Sequence, residues 1–316
     1  MSARIPHLGA DDVSALLSPT AAVDALRRAL ADGFRPETDH ARIFESLEHG
    51  EFLLMPAETA DSAGIKLLTI APDNPARGLA RIQGLYVLFD AETLTPRALI
   101  DGPTLTDIRT SAVSVAAVKD ALERDRGPLE VVAYGAGPQA RAHVRTVRAV
   151  LEGTRQVGRV TSVVRSPERV STSEDFDAVL AAGSQEAEGA TRAAGLILCT
   201  TTASTPLFPD ELVRDDAVVV AVGSHSPDAR ELPGALLGRA DVIVEDVAAA
   251  LRECGDVIMA IGEGALDARD LIPMADLVQG TRRPLGRRPV VFKSAGMSWE
   301  DLVLARAIAD ADERRR

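Results

Sequence analysis

At 316 residues the chain is longer than a single hydrophobic core usually grows, so two domains are expected. Hydrophobic residues make up 46% and charged residues 26%, the balance of an ordinary globular protein, and no uninterrupted apolar run approaches the roughly 20 residues that span a bilayer. The formal net charge of −12 argues against a nucleic-acid partner, which needs a concentrated basic surface; the arginines at 282, 283, 287 and 288 read as a solvated loop.

The first residues, Met1-Ser2-Ala3-Arg4-Ile5-Pro6, lack the apolar core and small-residue cleavage site of a secretory signal, and a cytoplasmic protein is expected. Cys199 and Cys254 belong to no CxxC pair and no His/Cys cluster, so they read as buried inert thiols rather than zinc ligands or a disulfide.

In chain order, apolar positions Ala22, Val23, Leu26, Leu30 and Phe34 recur at helical spacing behind Ser18-Pro19, an N-cap followed by proline at the first helical position. Between residues 42 and 90 the pattern turns to short apolar runs (52–55, 65–69, 84–89) broken by Pro, Gly, Asn and Asp, which predicts a strand-rich sheet. A polar turn at 91–96 leads through 97–102 to a small-residue helix over 104–122. After Asp125-Arg126-Gly127-Pro128 strands and helices alternate: strands at 129–134, 160–164, 196–199, 218–222 and 242–244, with a helix at 139–151. Alternation of this kind predicts a parallel sheet covered by helices. The run 290–296 is followed by a helix from 298 to 310 through Leu302, Leu304, Ala305 and Ile308. The expected fold is α/β: a Rossmann dinucleotide-binding domain, 126–294, inserted in an α+β domain made of 1–125 and 295–316.

The strongest motif is Gly135-Ala136-Gly137-Pro138-Gln139-Ala140, placed between a strand and a helix. There Gly135 permits the tight turn, Gly137 lets the backbone approach a pyrophosphate, and Ala140 fills the small position where helix meets sheet. The helix N-terminus adds free N–H groups and a positive dipole end. The next strand ends at Arg165-Ser166-Pro167-Glu168-Arg169 instead of at the acid that reads a ribose 2′-hydroxyl. Arg165, Ser166 and Arg169 suit a 2′-phosphate, so NADPH is preferred over NADH; solvated loop arginines are the other reading.

These motifs, together with Gly64-Ile65-Lys66, Asp101-Gly102, Leu105-Thr106-Asp107-Ile108-Arg109-Thr110-Ser111-Ala112, Cys199-Thr200-Thr201-Thr202, Val222-Gly223-Ser224, Arg230-Glu231-Leu232 and Phe292-Lys293-Ser294-Ala295-Gly296, resemble the ornithine cyclodeaminase and mu-crystallin family over nearly the whole chain. The resemblance implies that Arg42 and Arg109 grip a substrate carboxylate and that Lys66 is the catalytic lysine. On residues alone, Lys66 reads equally as an edge lysine that snorkels to solvent, and Arg109 as the partner of Asp107 or Asp101. It further implies that Thr110 helps hold the cofactor phosphates, that Thr200, Thr201 and Thr202 with Val222, Gly223 and Ser224 lie beside the nicotinamide, and that Ser294 lies near its ring; N-capping and turn chemistry would use the same hydroxyls.

The chain departs from the cyclodeaminases at His225, which stands where they carry a catalytic Asp. Loss of that base argues for simple reduction or oxidation; histidine's unperturbed pKa near neutrality makes His225 a candidate acid or base, and a supporting or solvent-facing role is the other reading. Asp228 reads as a turn residue. The resemblance therefore implies NADPH-dependent reduction of the C=N bond of a small cyclic imino acid of the 1-pyrroline-2-carboxylate or 1-piperideine-2-carboxylate type, in a homodimer, with the α+β domain serving substrate binding and dimerisation. An amino-acid dehydrogenase or cyclodeaminase, and a non-catalytic NADPH-binding protein, are the alternatives.

Overall fold

The computed structural model describes residues 5–224, 226–282 and 288–316. Along the chain run β1 (His7–Leu8), α1 (Ala10–Leu16), α2 (Pro19–Ala31), β2 (Ile43–Leu47), β3 (Gly50–Glu58), β4 (Ser62–Ile70), β5 (Ile82–Asp90), β6 (Pro96–Asp101) and α3 (Gly102–Leu122). There follow β7 (Leu129–Tyr134), α4 (Pro138–Leu151), β8 (Val157–Val164), β9 (Ala178–Ala181), α5 (Gln185–Ala193), β10 (Leu196–Cys199) and β11 (Val218–Ala221). The last elements are α6 (Gly234–Arg239), β12 (Asp241–Val244), α7 (Val247–Glu253), α8 (Gly255–Gly262), β13 (Ile272–Pro273), α9 (Met274–Val278), β14 (Val290–Lys293) and α10 (Ser298–Arg315).

Two compact units emerge: residues through Arg109 with Met297–Arg316, and Thr110–Gly296. In the first, six strands lie in the order β1-β6-β5-β4-β3-β2, antiparallel from β2 to β6 and parallel between β6 and β1. Strand alternation gives this sheet two unlike faces. Leu53, Met55, Leu68, Leu88, Ala98 and Ile100 point to a buried face on which α10 packs, with α1 and α2 alongside α10. The opposite face presents Ile43, Leu67 and Leu85 at 49%, 40% and 36% exposure, among half-buried Phe52, Leu54, Ile65 and Val87. Ser18 caps α2 as the sequence suggests, accepting the N–H of Ala21 at 3.2 Å.

In the second unit eight parallel strands run β13-β12-β14-β11-β10-β7-β8-β9. Runs such as Leu196-Ile197-Leu198-Cys199 are buried at every position, as expected of parallel strands covered on both faces. From β7 the chain goes to β8 on one side and later to β10 on the other, so the strand order reverses between β7 and β10, where open α/β sheets bind ligands at the carboxyl ends. Cys199 and Cys254 are buried free thiols. No helix among the described residues is long and apolar enough to cross a membrane.

Trp299, the single tryptophan, is fully buried in α10 with its ring 5.1 Å from that of Phe34. Its emission should be blue-shifted in the native protein and report the unfolding of the first unit alone. Trp299→Ala should lower that unit's unfolding free energy by about 3–5 kcal/mol in urea titrations followed by circular dichroism.

Candidate active site

In the first unit the chemistry gathers where β4 and β5 meet the start of α10. Lys66 stands opposite Tyr86 in the β4–β5 register, and both side chains are on the buried face with no exposed surface. Gly64 makes this possible: a Cβ there would lie 2.3 Å from the Tyr86 hydroxyl oxygen. Lys66 Nζ donates to Asp301 Oδ2 at 2.7 Å. Arg109, from α3, donates through Nη1 to Glu300 Oε2 at 3.0 Å, and its Nε lies 3.8 Å from Asp301 Oδ1. Lys66 is therefore not an edge lysine, and Arg109 pairs across the unit with Glu300. Asp101 serves that helix differently, accepting the N–H of Thr104 at 2.8 Å.

Glu300 and Asp301 occupy the first turn of α10, where the helix dipole favours negative charge. Asp39 fixes that turn by accepting the N–H of Trp299 at 2.9 Å, and Glu300 Oε1 accepts the N–H of Met297 at 3.2 Å. Burial pulls the Lys66 ammonium down to about 8, helped by the charge of Arg109 and opposed by Asp301 and Glu300. Burial, with Asp301 and Asp39, pushes the Tyr86 phenol well above its usual range. Arg42, just before β2, has its guanidinium 5.7 Å from the centre of the Phe44 ring. The structure thus joins Lys66 and Arg109 through one pair of acids and places Arg42 at Phe44.

In the second unit the glycine loop follows β7. Gly135 has φ +115°, and a Cβ there would meet Thr200 Oγ1 at 2.8 Å, so turn and contact both demand glycine. Gly137 is the N-cap of α4, with Pro138 first in the helix, and a Cβ on Gly137 would meet nothing within 4 Å. That open approach, and helix N–H groups with no intrahelical acceptor, fit a phosphate group. Ala136 and Gln139 are half-buried and Ala140 is buried against the sheet. Thr200 at the end of β10 donates to Tyr134 O at 3.0 Å, joining the switch-point strands.

Glu231 ties the next two strand ends: it accepts the N–H and hydroxyl of Thr201, both at 2.8 Å, and the N–H of Gly223 at 2.7 Å. A Cβ on Gly223 would fall 1.9 Å from Thr201 O. Val222 donates its N–H to Cys199 O at 3.0 Å, Ser224 is buried, and Thr202 is exposed. Lys293 donates to Ser224 O at 2.6 Å and lies 3.0 Å from Asp256 Oδ2; Asp256 Oδ1 accepts the N–H groups of Glu231 and Leu232, each at 2.8 Å. Burial raises Glu231 above the usual carboxylate range against the pull of Lys293 and these hydrogen bonds. Ser294 donates to Glu245 Oε1 at 2.6 Å. Arg165 and Arg169 are exposed and Ser166 half-buried after β8, with Arg169 3.8 Å from Glu168. Thr110 is buried in α3, its carbonyl accepting the Ser114 hydroxyl at 2.8 Å. His225 lies outside the described residues; Asp228 is in an exposed turn.

Sequence reading did not single out Glu300, Asp301, Asp39, Tyr86, Glu245 and Asp256 as site residues, and Glu231 and Lys293 stood in the family motifs without a role of their own. Adjacent acids in the first turn of a helix, just ahead of the apolar run Leu302-Val303-Leu304-Ala305, were the one signal available for Glu300 and Asp301.

This is an α/β protein whose second unit has the Rossmann arrangement. The sequence profile of the ornithine cyclodeaminase/mu-crystallin family matches residues 10–315, and the chain belongs to that family. It is 32% identical over 314 residues to Delta(1)-pyrroline-2-carboxylate reductase 1 of Burkholderia multivorans, covering 98% of this chain and 96% of the relative. It is also 32% identical over 325 residues to the Delta(1)-pyrroline-2-carboxylate/Delta(1)-piperideine-2-carboxylate reductase of Azospirillum brasilense, covering 99% and 97%. In structure it resembles the Delta(1)-pyrroline-2-carboxylate reductase of Thermococcus litoralis in complex with NADH and L-proline, with a TM-score of 0.86 at 24% identity over 98% of both chains.

Burial, opposed by the N–H groups of Trp299, His40 and Ser298, raises Asp39 to about 6. With a folded pKa above the unfolded value of 3.8, the native protein binds more protons between the two, so this contribution is full at low pH and lost as pH rises through about 6. Wild-type stability relative to Asp39→Asn, measured by urea titration on Trp299 emission, should therefore fall from pH 4 to pH 7 and then level.

Proposed function

We propose that this oxidoreductase reduces the C=N bond of a small cyclic imino acid, of the 1-pyrroline-2-carboxylate or 1-piperideine-2-carboxylate type, to the cyclic amino acid, with NADPH as cofactor. The observation that carries the reading is the pairing of buried Lys66 and Arg109 on Glu300 and Asp301. The names of the relatives point the same way. Arg109, with Arg42, orients the substrate carboxylate through charge-assisted hydrogen bonds. Lys66 gives a proton to the imino nitrogen, and an ammonium whose pKa lies near 8 is well matched to that task at neutral pH.

The cofactor, when bound, supplies the hydride. Gly135 to Ala140 and Thr110 hold its phosphates, Thr200 to Thr202, Val222 to Ser224 and Ser294 its nicotinamide end, and Arg165, Ser166 and Arg169 the 2′-phosphate. Exposed arginines where an acid would read the ribose support NADPH over NADH. His225 is proposed as an auxiliary acid or base. A cytoplasmic location keeps both thiols reduced.

Purified protein should oxidise NADPH in the presence of either ketimine, with lower kcat/KM for NADH. Arg165→Ala should narrow that preference about tenfold, equivalent to one charge-assisted contact of about 1.4 kcal/mol. Lys66→Ala should lose turnover by at least about 100-fold and keep NADPH affinity. Ammonia released from ornithine or alanine, without ketimine reduction, would move the protein to the deaminating reading; binding without any turnover would leave a storage protein.

We further propose that the protein is a homodimer built on the apolar outer face of the first unit's sheet. A related fold, that of an archaeal alanine dehydrogenase, is described as a dimer. An antiparallel sheet face carrying Ile43, Leu67 and Leu85 can pair with its own copy about a two-fold axis. Light scattering should give the mass of two chains, and Leu67→Arg with Leu85→Arg should give one.

A further inference from the structure

Asp301 uses its oxygens differently from Glu231, a buried acid of the second unit. Glu231 spends both on strand ends, accepting three hydrogen bonds from Thr201 and Gly223. Asp301 accepts one, from Lys66, and its buried Oδ1 has no hydrogen-bond partner. A carboxylate held this way adds little to the packing of its own helix; its charge is spent on the lysine and on Arg109 Nε, 3.8 Å away. Its position is set from outside, because Asp39 and Glu300 tie down the backbone of the same turn.

We propose that Asp301 is a positioning residue for Lys66: its carboxylate fixes the ammonium on the inner face of β4 and keeps it charged over the pH range in which the imino nitrogen is protonated. The inference rests on the reductase reading above. In the step concerned, hydride from the reduced nicotinamide dinucleotide adds to the C=N carbon and the π electron pair moves to nitrogen. Nitrogen takes a proton from Lys66 Nζ, and the neutral amine then regains one from solvent. Lys66 must be an ammonium at the start of every cycle, yet burial and Arg109 both favour the neutral amine. Of the groups facing it, Asp301 and Glu300 on α10 oppose that tendency, Arg109 on α3 promotes it, and Tyr86 on β5 is held in its neutral form. Asp39, ahead of β2, is raised by burial only to about 6, below the range in which Lys66 loses its proton.

The test is the pH dependence of kcat/KM for 1-pyrroline-2-carboxylate with NADPH in the wild type, Asp301→Asn, Asp301→Ser and Asp301→Glu, with NADPH affinity measured in parallel. The wild-type profile should fall above about pH 8. Removing the carboxylate should shift that alkaline limb by about one unit or more to lower pH, with NADPH affinity unchanged, and Asp301→Glu should restore it. A limb that stays in place in a folded Asn or Ser variant overturns the proposal. So does failure of both of these to fold while Asp301→Glu folds, since the carboxylate would then serve structure. A wild-type protein that turns over no ketimine is a failure of the reductase reading instead, and is seen before any variant is made.

Discussion

The ion pair between Lys66 and Asp301 is the constraint around which the first unit is organised. A lysine in the middle of a sheet's buried face is expensive to keep charged: the fall from 10.5 to about 8 corresponds to roughly 3 kcal/mol. Burying such a charge is tolerable only when it is paired, and truncating either partner leaves the other uncompensated. Much of the local sequence follows from that demand. Gly64 clears room for Tyr86 beside the lysine. Asp39 anchors the helix turn that carries the acids, and Glu300 takes up Arg109. The arrangement stores two cations and two acids among buried side chains, which is a poor way to gain stability and, in the proposed function, prepares a proton donor beside a carboxylate grip.

The second unit uses buried charge for another purpose. Glu231, Asp256 and Lys293 connect the carboxyl ends of β10, β11 and β14 with the segment that precedes α6 and with the start of α8. Three of these bonds go to backbone groups just after β10 and β11: the N–H groups of Thr201 and Gly223 and the carbonyl of Ser224. The outcome is a rigid rim at the carboxyl edge of the sheet, the edge at which the glycine loop opens. Preorganised walls of this kind matter in an enzyme that works chiefly by orientation and electrostatics.

How far these features could be read from the sequence depended on the range of the interaction. Parallel strands such as 131–134 and 196–199 declare themselves by continuous apolar runs, and the glycine loop by its place between strand and helix. The edge strands β1, β9 and β13 are two to four residues long and carry no periodicity that a sequence can show. Lys66 and Asp301 are 235 residues apart, and nothing local to either announces the other. Only the resemblance singled out Lys66 and Arg109, whereas their acidic partners looked like ordinary first-turn residues of a helix. Lys293 stands one residue from Ser294, which was singled out, but a lone lysine at a strand end gives no sign of being buried against Asp256.

The central claim is that hydride passes to the carbon of a C=N bond. NADPH carrying deuterium at the transferring C4 position, incubated with 1-pyrroline-2-carboxylate and the wild-type protein, tests it most directly by mass spectrometry and NMR of the product. The account predicts proline with one deuterium, at the α-carbon. Unlabelled proline, or a deuterated cofactor left unconsumed while ammonia is released from an amino acid, would contradict it.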